Sequence, residues 1–280
     1  MRDLISPEAL AELLPEATLL DVRWKLGRTD GREQYLAGHI PGAAYVDLPT
    51  ELAEPAAAPV DAGGRHPLPD PERFGQVMRR CGVTASRPVV VYDDSSGQAA
   101  ARAWWLLRHH GHDDVRLLDG GWSAWVATDG AVETGEAPVV SGDFEPGPGR
   151  LPVLDADGAE AAARSGLLID ARAEERFRGE TEPVDPVAGH VPGARNVPTS
   201  ANVGEGSGAR FLPEEQLREV YADALRVAGS GGIVGVSCGS GVTAAHDAFV
   251  LHGLGVEAAL YAGSWSGWTS DPERPVETGN

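Results

Sequence analysis

The chain has 280 residues, with 23 Lys or Arg against 42 Asp or Glu, for a formal net charge of −19. An acidic surface of this size repels phosphate backbones and excludes nucleic acid as the main partner. A hydrophobic fraction of 42% with 36 Gly and 21 Pro suits a turn-rich globular protein of one large or two ordinary domains. Two cysteines make no disulfide framework, no apolar run reaches about 18 residues, and Met1–Ala11 lacks the hydrophobic segment of a secretory signal. A cytoplasmic protein without a membrane span is expected.

In chain order, Pro7–Leu14 reads as a helix, Leu19–Val22 as a strand and Pro71–Cys81 as a helix. Val89–Tyr92 follows as a strand, Gln98–His109 as a helix and Val115–Leu118 as a strand. The alternation predicts an α/β fold, a mostly parallel sheet with helices on both faces. The unbroken Val89-Val90-Val91 run fits a strand buried on both sides. A stretch rich in Gly, Pro and Glu then runs from Thr128 to Leu154, and its Pro146, Pro148 and Pro152 suit an extended linker.

Beyond it the pattern begins again. Leu19-Leu20-Asp21-Val22-Arg23 returns as Leu168-Ile169-Asp170-Ala171-Arg172, and Gly38-His39-Ile40-Pro41-Gly42-Ala43 as Gly189-His190-Val191-Pro192-Gly193-Ala194. The Val89–Asp94 strand is answered by Ile233–Cys238, and Gly120-Gly121-Trp122-Ser123-Ala124-Trp125 by Gly263-Ser264-Trp265-Ser266-Gly267-Trp268. Four matches in one order indicate a duplicated domain. The expected organisation is a first domain over residues 1–140, a linker over 141–153 and a second domain over 154–280.

The copies diverge at the end of the central strand, where this pairing sets Asp94 against Cys238. After Cys238 come Gly239-Ser240-Gly241-Val242-Thr243 and then a helical pattern over Ala244–Leu251. Strand, short Gly-rich turn and helix aim several backbone N–H groups at one spot and add the partial positive charge of a helix N-terminus. A sulfur placed there gains stability as its thiolate. Gly239 and Gly241 are expected to let the backbone curl around it. Cys81 ends a helix before Gly82, without such surroundings, and reads as structural.

Other chemistries fit less well. A cysteine phosphatase needs an arginine six positions beyond its nucleophile, and Ala244 stands there. No His or Cys cluster has zinc spacing, so no metal is expected, and no Gly-x-Ser-x-Gly elbow follows a strand. His39 and His190 occupy equivalent turn positions and read as structural hydrogen-bonders, and the paired tryptophans read as core. Arg23 with Asp21, and Arg172 with Asp170, read as local ion pairs.

These motifs together resemble the sulfurtransferases built from tandem rhodanese domains. The resemblance rests on Asp21-Val22-Arg23, the two Gly-His-Ile/Val-Pro-Gly-Ala segments, Arg176-Phe177-Arg178-Gly179, Cys238-Gly239-Ser240-Gly241-Val242-Thr243-Ala244 and Trp265-Ser266-Gly267-Trp268. It implies a catalytically silent first copy and a second copy whose Cys238 takes sulfur from an anionic donor as a persulfide and passes it on. The acceptor would be cyanide or a thiol, including a thioredoxin-like one. It also implies that Arg176 binds the donor and that Gly239, Gly241, Val242 and Thr243 form the cradle. No metal, nucleotide or flavin is called for, because electron movement stays on sulfur.

Within the family, thiosulfate enzymes carry basic residues directly after the cysteine, whereas Gly239-Ser240 resembles the 3-mercaptopyruvate form. Ser240 and His66 would then form a proton relay, with Asp47 or Glu51 as its acid. The second arginine that such enzymes carry after a Glu-Pro pair is missing, since Glu182-Pro183 is followed by Val184-Asp185. Thiosulfate therefore stays open as a donor, and so does a binding or persulfide-relay module acting on a protein partner.

Overall fold

The computed structural model describes residues 1–280. The first sheet consists of β1 (Leu4–Ile5), β2 (Thr18–Asp21), β3 (Ala44–Tyr45), β4 (Val89–Tyr92) and β5 (Val115–Leu118), in the order β1-β5-β4-β2-β3. The second consists of β6 (Val153–Leu154), β7 (Leu167–Asp170), β8 (Arg195–Asn196), β9 (Val234–Ser237) and β10 (Ala259–Tyr261), in the order β6-β10-β9-β7-β8. Every pairing is parallel, and the two sheets trace the same path. The repeat read from the sequence is thus a repeat of topology. Strands β2, β4, β7 and β9 are buried throughout, which explains their unbroken apolar character. The expected helices form over Pro7–Leu13, Pro71–Arg80, Ala100–His109 and Ala244–Gly253, the first two capped by Ser6 and Asp70 with Pro in the first turn. No helix is long and apolar enough to cross a membrane.

The strand register corrects one expectation. Asp21 pairs with Tyr92 as Asp170 pairs with Ser237, so the first-half counterpart of Cys238 is Asp93, not Asp94. The Trp122 amide donates to the Asp93 carbonyl as the Trp265 amide donates to that of Cys238. The loop between β4 and the helix at Ala100 is one residue longer than the loop between β9 and the helix at Ala244, so alignment on the helices misplaces the strand end. The stretch between the sheets also differs from a free linker. Gly142, Phe144, Gly147 and Arg150 donate backbone hydrogen bonds to Arg79, Val83, His110 and His109, and Phe144 is buried edge-on against Phe74. The segment is a strap bound along the first half.

The halves pack through the helices Ala100–His109 and Ala244–Gly253, where Trp104 meets Phe249 edge-to-face with centroids 5.0 Å apart, inside one core cluster that draws residues from both sheets. Arg102 crosses this interface fully buried, without a carboxylate partner. Its Nη1 donates to the Gly241 carbonyl (3.0 Å), its Nη2 to those of His66 (3.1 Å), Pro67 (3.2 Å) and Leu52 (3.3 Å), and its Nε again to Leu52. Burial pushes its pKa down to about 10, which leaves it protonated at neutral pH. Replacing it leaves the carbonyls of Leu52, His66 and Gly241 without a donor, Pro67 keeping that of the Glu54 amide, and Arg102→Met is expected to cost about 3 kcal/mol. Urea unfolding should show this as a lower midpoint at unchanged slope; a midpoint equal to wild type would refute the assigned role.

Candidate active site

Cys238 follows β9, and its amide donates to Ser264 Oγ at 3.0 Å. Around its sulfur the loop folds back, bringing the Gly241 amide to 3.1 Å and the Ser240 amide to 3.5 Å from Sγ. The two glycines act differently. Gly241 has φ +76°, and a Cβ there would lie 2.4 Å from the Ala262 carbonyl oxygen, so no other residue fits without rearrangement. Gly239 has no left-handed backbone; its missing side chain leaves room for two guanidinium groups. Ser264 lies opposite with φ +50°, an uncommon conformation for a residue with a side chain. Its Oγ accepts from Cys238 N and donates to the Tyr261 carbonyl, fixing the sulfur-bearing residue from behind. The equivalent first-half position is Gly121, with φ +58°.

The first-half loop performs the same operation on another group. The Asp93 carboxylate accepts from the amides of Ser95 and Gly97 on Oδ1 and of Ala99 and Ala100 on Oδ2, all at 2.8–2.9 Å. This cradle is therefore built around an anion and is filled by the chain itself. In the second half, the amides of Thr243 and Ala244, which correspond to Ala99 and Ala100, donate to no protein acceptor.

The expected residues converge. His66 Nδ1 lies 2.9 Å from Ser240 Oγ, bridging the halves. Burial, reinforced by Arg102 and Arg65, lowers the His66 pKa to about 4, so the ring is neutral at physiological pH. Trp24 borders His66 edge-on at 5.5 Å. Neither expected acid reaches it: Asp47 accepts from Thr50, while Glu51 pairs with Arg80 and accepts from the Asp47 amide. The relay thus ends at His66. Arg176 is held by Glu182 through its Nε and Nη2, at 3.2 and 2.6 Å. Burial raises the Glu182 pKa, but its hydrogen bonds and the Arg176 charge outweigh this and hold it low. Arg172 pairs with Asp170 and Arg23 with Asp21, as expected, each also donating to the carbonyl of a Gly-His turn. His39 and His190 donate through Nδ1 to the Tyr35 and Phe177 carbonyls and lie outside the site. No group of three or more His, Cys, Asp or Glu side chains is placed to hold a metal ion.

A cleft of about 680 Å3 opens between the halves onto Cys238–Ser240, Val242 and Thr243, with Arg176 on its wall. Two further wall residues escaped the sequence reading. Trp24 follows the repeated Asp-x-Arg motif, where the copies stop matching, and that divergence was a usable signal. Arg65 adjoins His66 and pairs with Asp185, a contact with no sequence signature because 120 residues separate them. Asp94 also lines the cleft and accepts from Ser123 Oγ at 2.6 Å.

This architecture has known counterparts. Residues 6–128 and 155–271 each match the model of the Rhodanese-like domain family. The "Probable 3-mercaptopyruvate sulfurtransferase" of Pseudomonas aeruginosa is 45% identical, covering 99% of this chain and 98% of its own. The "Putative thiosulfate sulfurtransferase SseB" of Mycobacterium tuberculosis is 43% identical, covering 94% of this chain and 91% of its own. Among solved structures, the 3-mercaptopyruvate enzyme SseA of Escherichia coli superposes with a TM-score of 0.79 at 32% identity, over 95% of this chain and all of that one. With a duplicated parallel fold, a cradled cysteine in the second copy and these relatives, the chain belongs to the rhodanese family and is a sulfurtransferase.

Proposed function

We propose that this enzyme takes sulfur from 3-mercaptopyruvate onto Cys238 and passes it to a thiol, including a thioredoxin-like thiol, or to cyanide. In this reading residues 154–280 form the catalytic domain, and residues 1–140 form a domain without a nucleophile that completes the cleft. The observation that carries the reading is Asp93. Its carboxylate places a negative oxygen two bonds beyond Cβ, held by four amides. A cysteine persulfide has the same reach, with Sγ in place of the carboxyl carbon and an anionic outer sulfur in place of the oxygen. The free amides of Thr243 and Ala244 suit that outer sulfur.

The Cys238 thiolate attacks the donor sulfur as the carbon–sulfur bond breaks, and the bonding electrons leave on the enolate of pyruvate. The thiol proton of the donor passes through Ser240 and neutral His66 to the enolate carbon, leaving pyruvate and an anionic persulfide. An acceptor thiolate or cyanide then attacks the outer sulfur, the sulfur–sulfur bond breaks, and the Cys238 thiolate returns. Arg176, whose Nη1 is free of protein partners, takes the donor carboxylate. Two free cysteines and reduced thiol acceptors agree with a cytoplasmic setting. Thiosulfate is the second reading, supported by the cationic groups beside the cradle, which also suit a dianion.

Cys238→Ser should lower sulfur transfer more than about a thousandfold and abolish the mass increase of one sulfur atom that donor produces on the intact protein. A persulfide forming on the variant would remove Cys238 from the mechanism. Ser240→Ala should separate the donors. Turnover of 3-mercaptopyruvate, which needs a proton at carbon, is expected to fall about a hundredfold, while thiosulfate turnover stays within about threefold of wild type. Equal losses would show that Ser240 only shapes the cradle.

The His66 ring should titrate far below its ordinary value of 6.5. Because its pKa is lower folded than unfolded, its contribution to stability is complete above about pH 6.5 and is lost as pH falls towards 4. NMR of the ring should show the neutral form persisting at about pH 5; protonation near 6.5 would contradict the buried placement.

A further inference from the structure

The cleft contains a second cation delivered by the other half of the molecule. Arg65 lies in the loop Gly64-Arg65-His66-Pro67, whose position is fixed twice. The Arg65 amide donates to Ser266 Oγ at 3.1 Å, and the His66 and Pro67 carbonyls accept from Arg102. Its guanidinium then reaches Asp185 of the second half through Nη1. Asp185 also lies 3.6 Å from Arg176 Nη2, so one buried carboxylate braces both arginines. The remaining donors have no protein acceptor: Arg65 uses only Nη1, and Arg176 uses only Nε and Nη2.

The free donors meet at one place. A Cβ built on Gly239 would lie 3.1 Å from Arg65 Nη2 and 3.6 Å from Arg176 Nη1. That point is one residue from Cys238, on the cleft wall. Two unpaired guanidinium donors from different halves, braced from behind by one carboxylate and converging where no side chain stands, form an anion site. We propose that Arg65 binds the anionic group of the sulfur donor together with Arg176, so that the half lacking the nucleophile supplies part of the donor specificity. The proposal rests on the sulfur-donor reading only for the identity of the ligand; the site is one for a carboxylate or a comparable oxyanion attached to a group that reaches Cys238.

Alkylation of Cys238 tests the site without turnover. Iodoacetate carries a carboxylate and iodoacetamide does not, and peptide mapping separates Cys238 from buried Cys81. Arg65→Gln in the full chain is expected to slow carboxymethylation of Cys238 about tenfold, with the iodoacetamide rate within about twofold of wild type. Arg65→Lys, which keeps the charge but loses the fork, should recover part of the iodoacetate rate. With 3-mercaptopyruvate, Arg65→Gln should raise KM about tenfold and change kcat less than about threefold, the pattern of lost ground-state binding. An unchanged ratio of the two alkylation rates overturns the assignment of Arg65. Misfolding would instead raise the iodoacetamide rate, and Arg65→Lys then decides the question. If wild type turns over neither donor while the alkylation ratio still falls in Arg65→Gln, the donor reading fails and the anion site stands.

Discussion

The buried guanidinium of Arg102 is the constraint on which the site depends. Removing an arginine from water is costly, and here no carboxylate compensates it. The cost is met by four carbonyls that turn towards one planar fork, and each belongs to a segment with little regular structure of its own: Leu52, His66, Pro67 and Gly241. Gly241 faces both ways, with its carbonyl on Arg102 and its amide on the Cys238 sulfur. The position of Cys238 is thereby tied to a side chain of the other half. The same fork sets the backbone that places His66 against Ser240 and Arg65 beside Gly239. An interface built on the hydrophobic contact of two helices thereby also becomes a positioning device.

Duplication gave the molecule two copies of one anion cradle, and each solves the same electrostatic problem differently. Amides converging on a point are stable only if something negative occupies it or water reaches it. In the first half Asp93 occupies it permanently, and the loop is satisfied and inert. In the second half the thiol of Cys238 engages the amides of Ser240 and Gly241 and leaves those of Thr243, on the cleft wall, and of Ala244 behind it without a protein acceptor. The second cradle is thus prepared for a group longer by one atom. Ser264 in its left-handed conformation adds to this preparation: a serine hydroxyl holds Cys238 where the first half manages with Gly121.

The fold was legible in the sequence because its signals are local or repeated. Buried parallel strands read as apolar runs, prolines and caps marked helix starts, and four segments of the first copy returned in the same order in the second. The cysteine loop and Arg176 were legible through their resemblance to a family, and the Ser240–His66 contact followed from it. What the sequence did not carry is register and distance. The extra residue in the first loop shifted the apparent partner of Cys238 from Asp93 to Asp94, an error of one position that strand pairing alone resolves. Arg65 stayed hidden because its meaning comes from Asp185 and Gly239, both far away in the chain. The absence of an arginine after Glu182-Pro183 was visible, but the carboxylate found there instead, Asp185, acts by aiming an arginine from the other half.

At the proposed site a chain of net charge −19 would bind an anion against its own field. The surface charge matters little at the cleft, since exposed charges are screened beyond about 8–10 Å at physiological salt. What decides is the alternating line Asp170, Arg172, Glu182, Arg176, Asp185, Arg65, which runs from the end of β7 to the loop of the other half. Its formal charges cancel, so it can be buried at tolerable cost, whereas isolated arginines at the same depth would be far less stable. Cancellation does not remove the donors. Each carboxylate consumes some of a guanidinium's five N–H groups and fixes its plane, and those left over point where the carboxylates do not. The acids are therefore part of the proposed anion site: they hold the cations in a preorganised array, and Arg102, with no acid beside it, supplies positive charge that the array leaves unopposed.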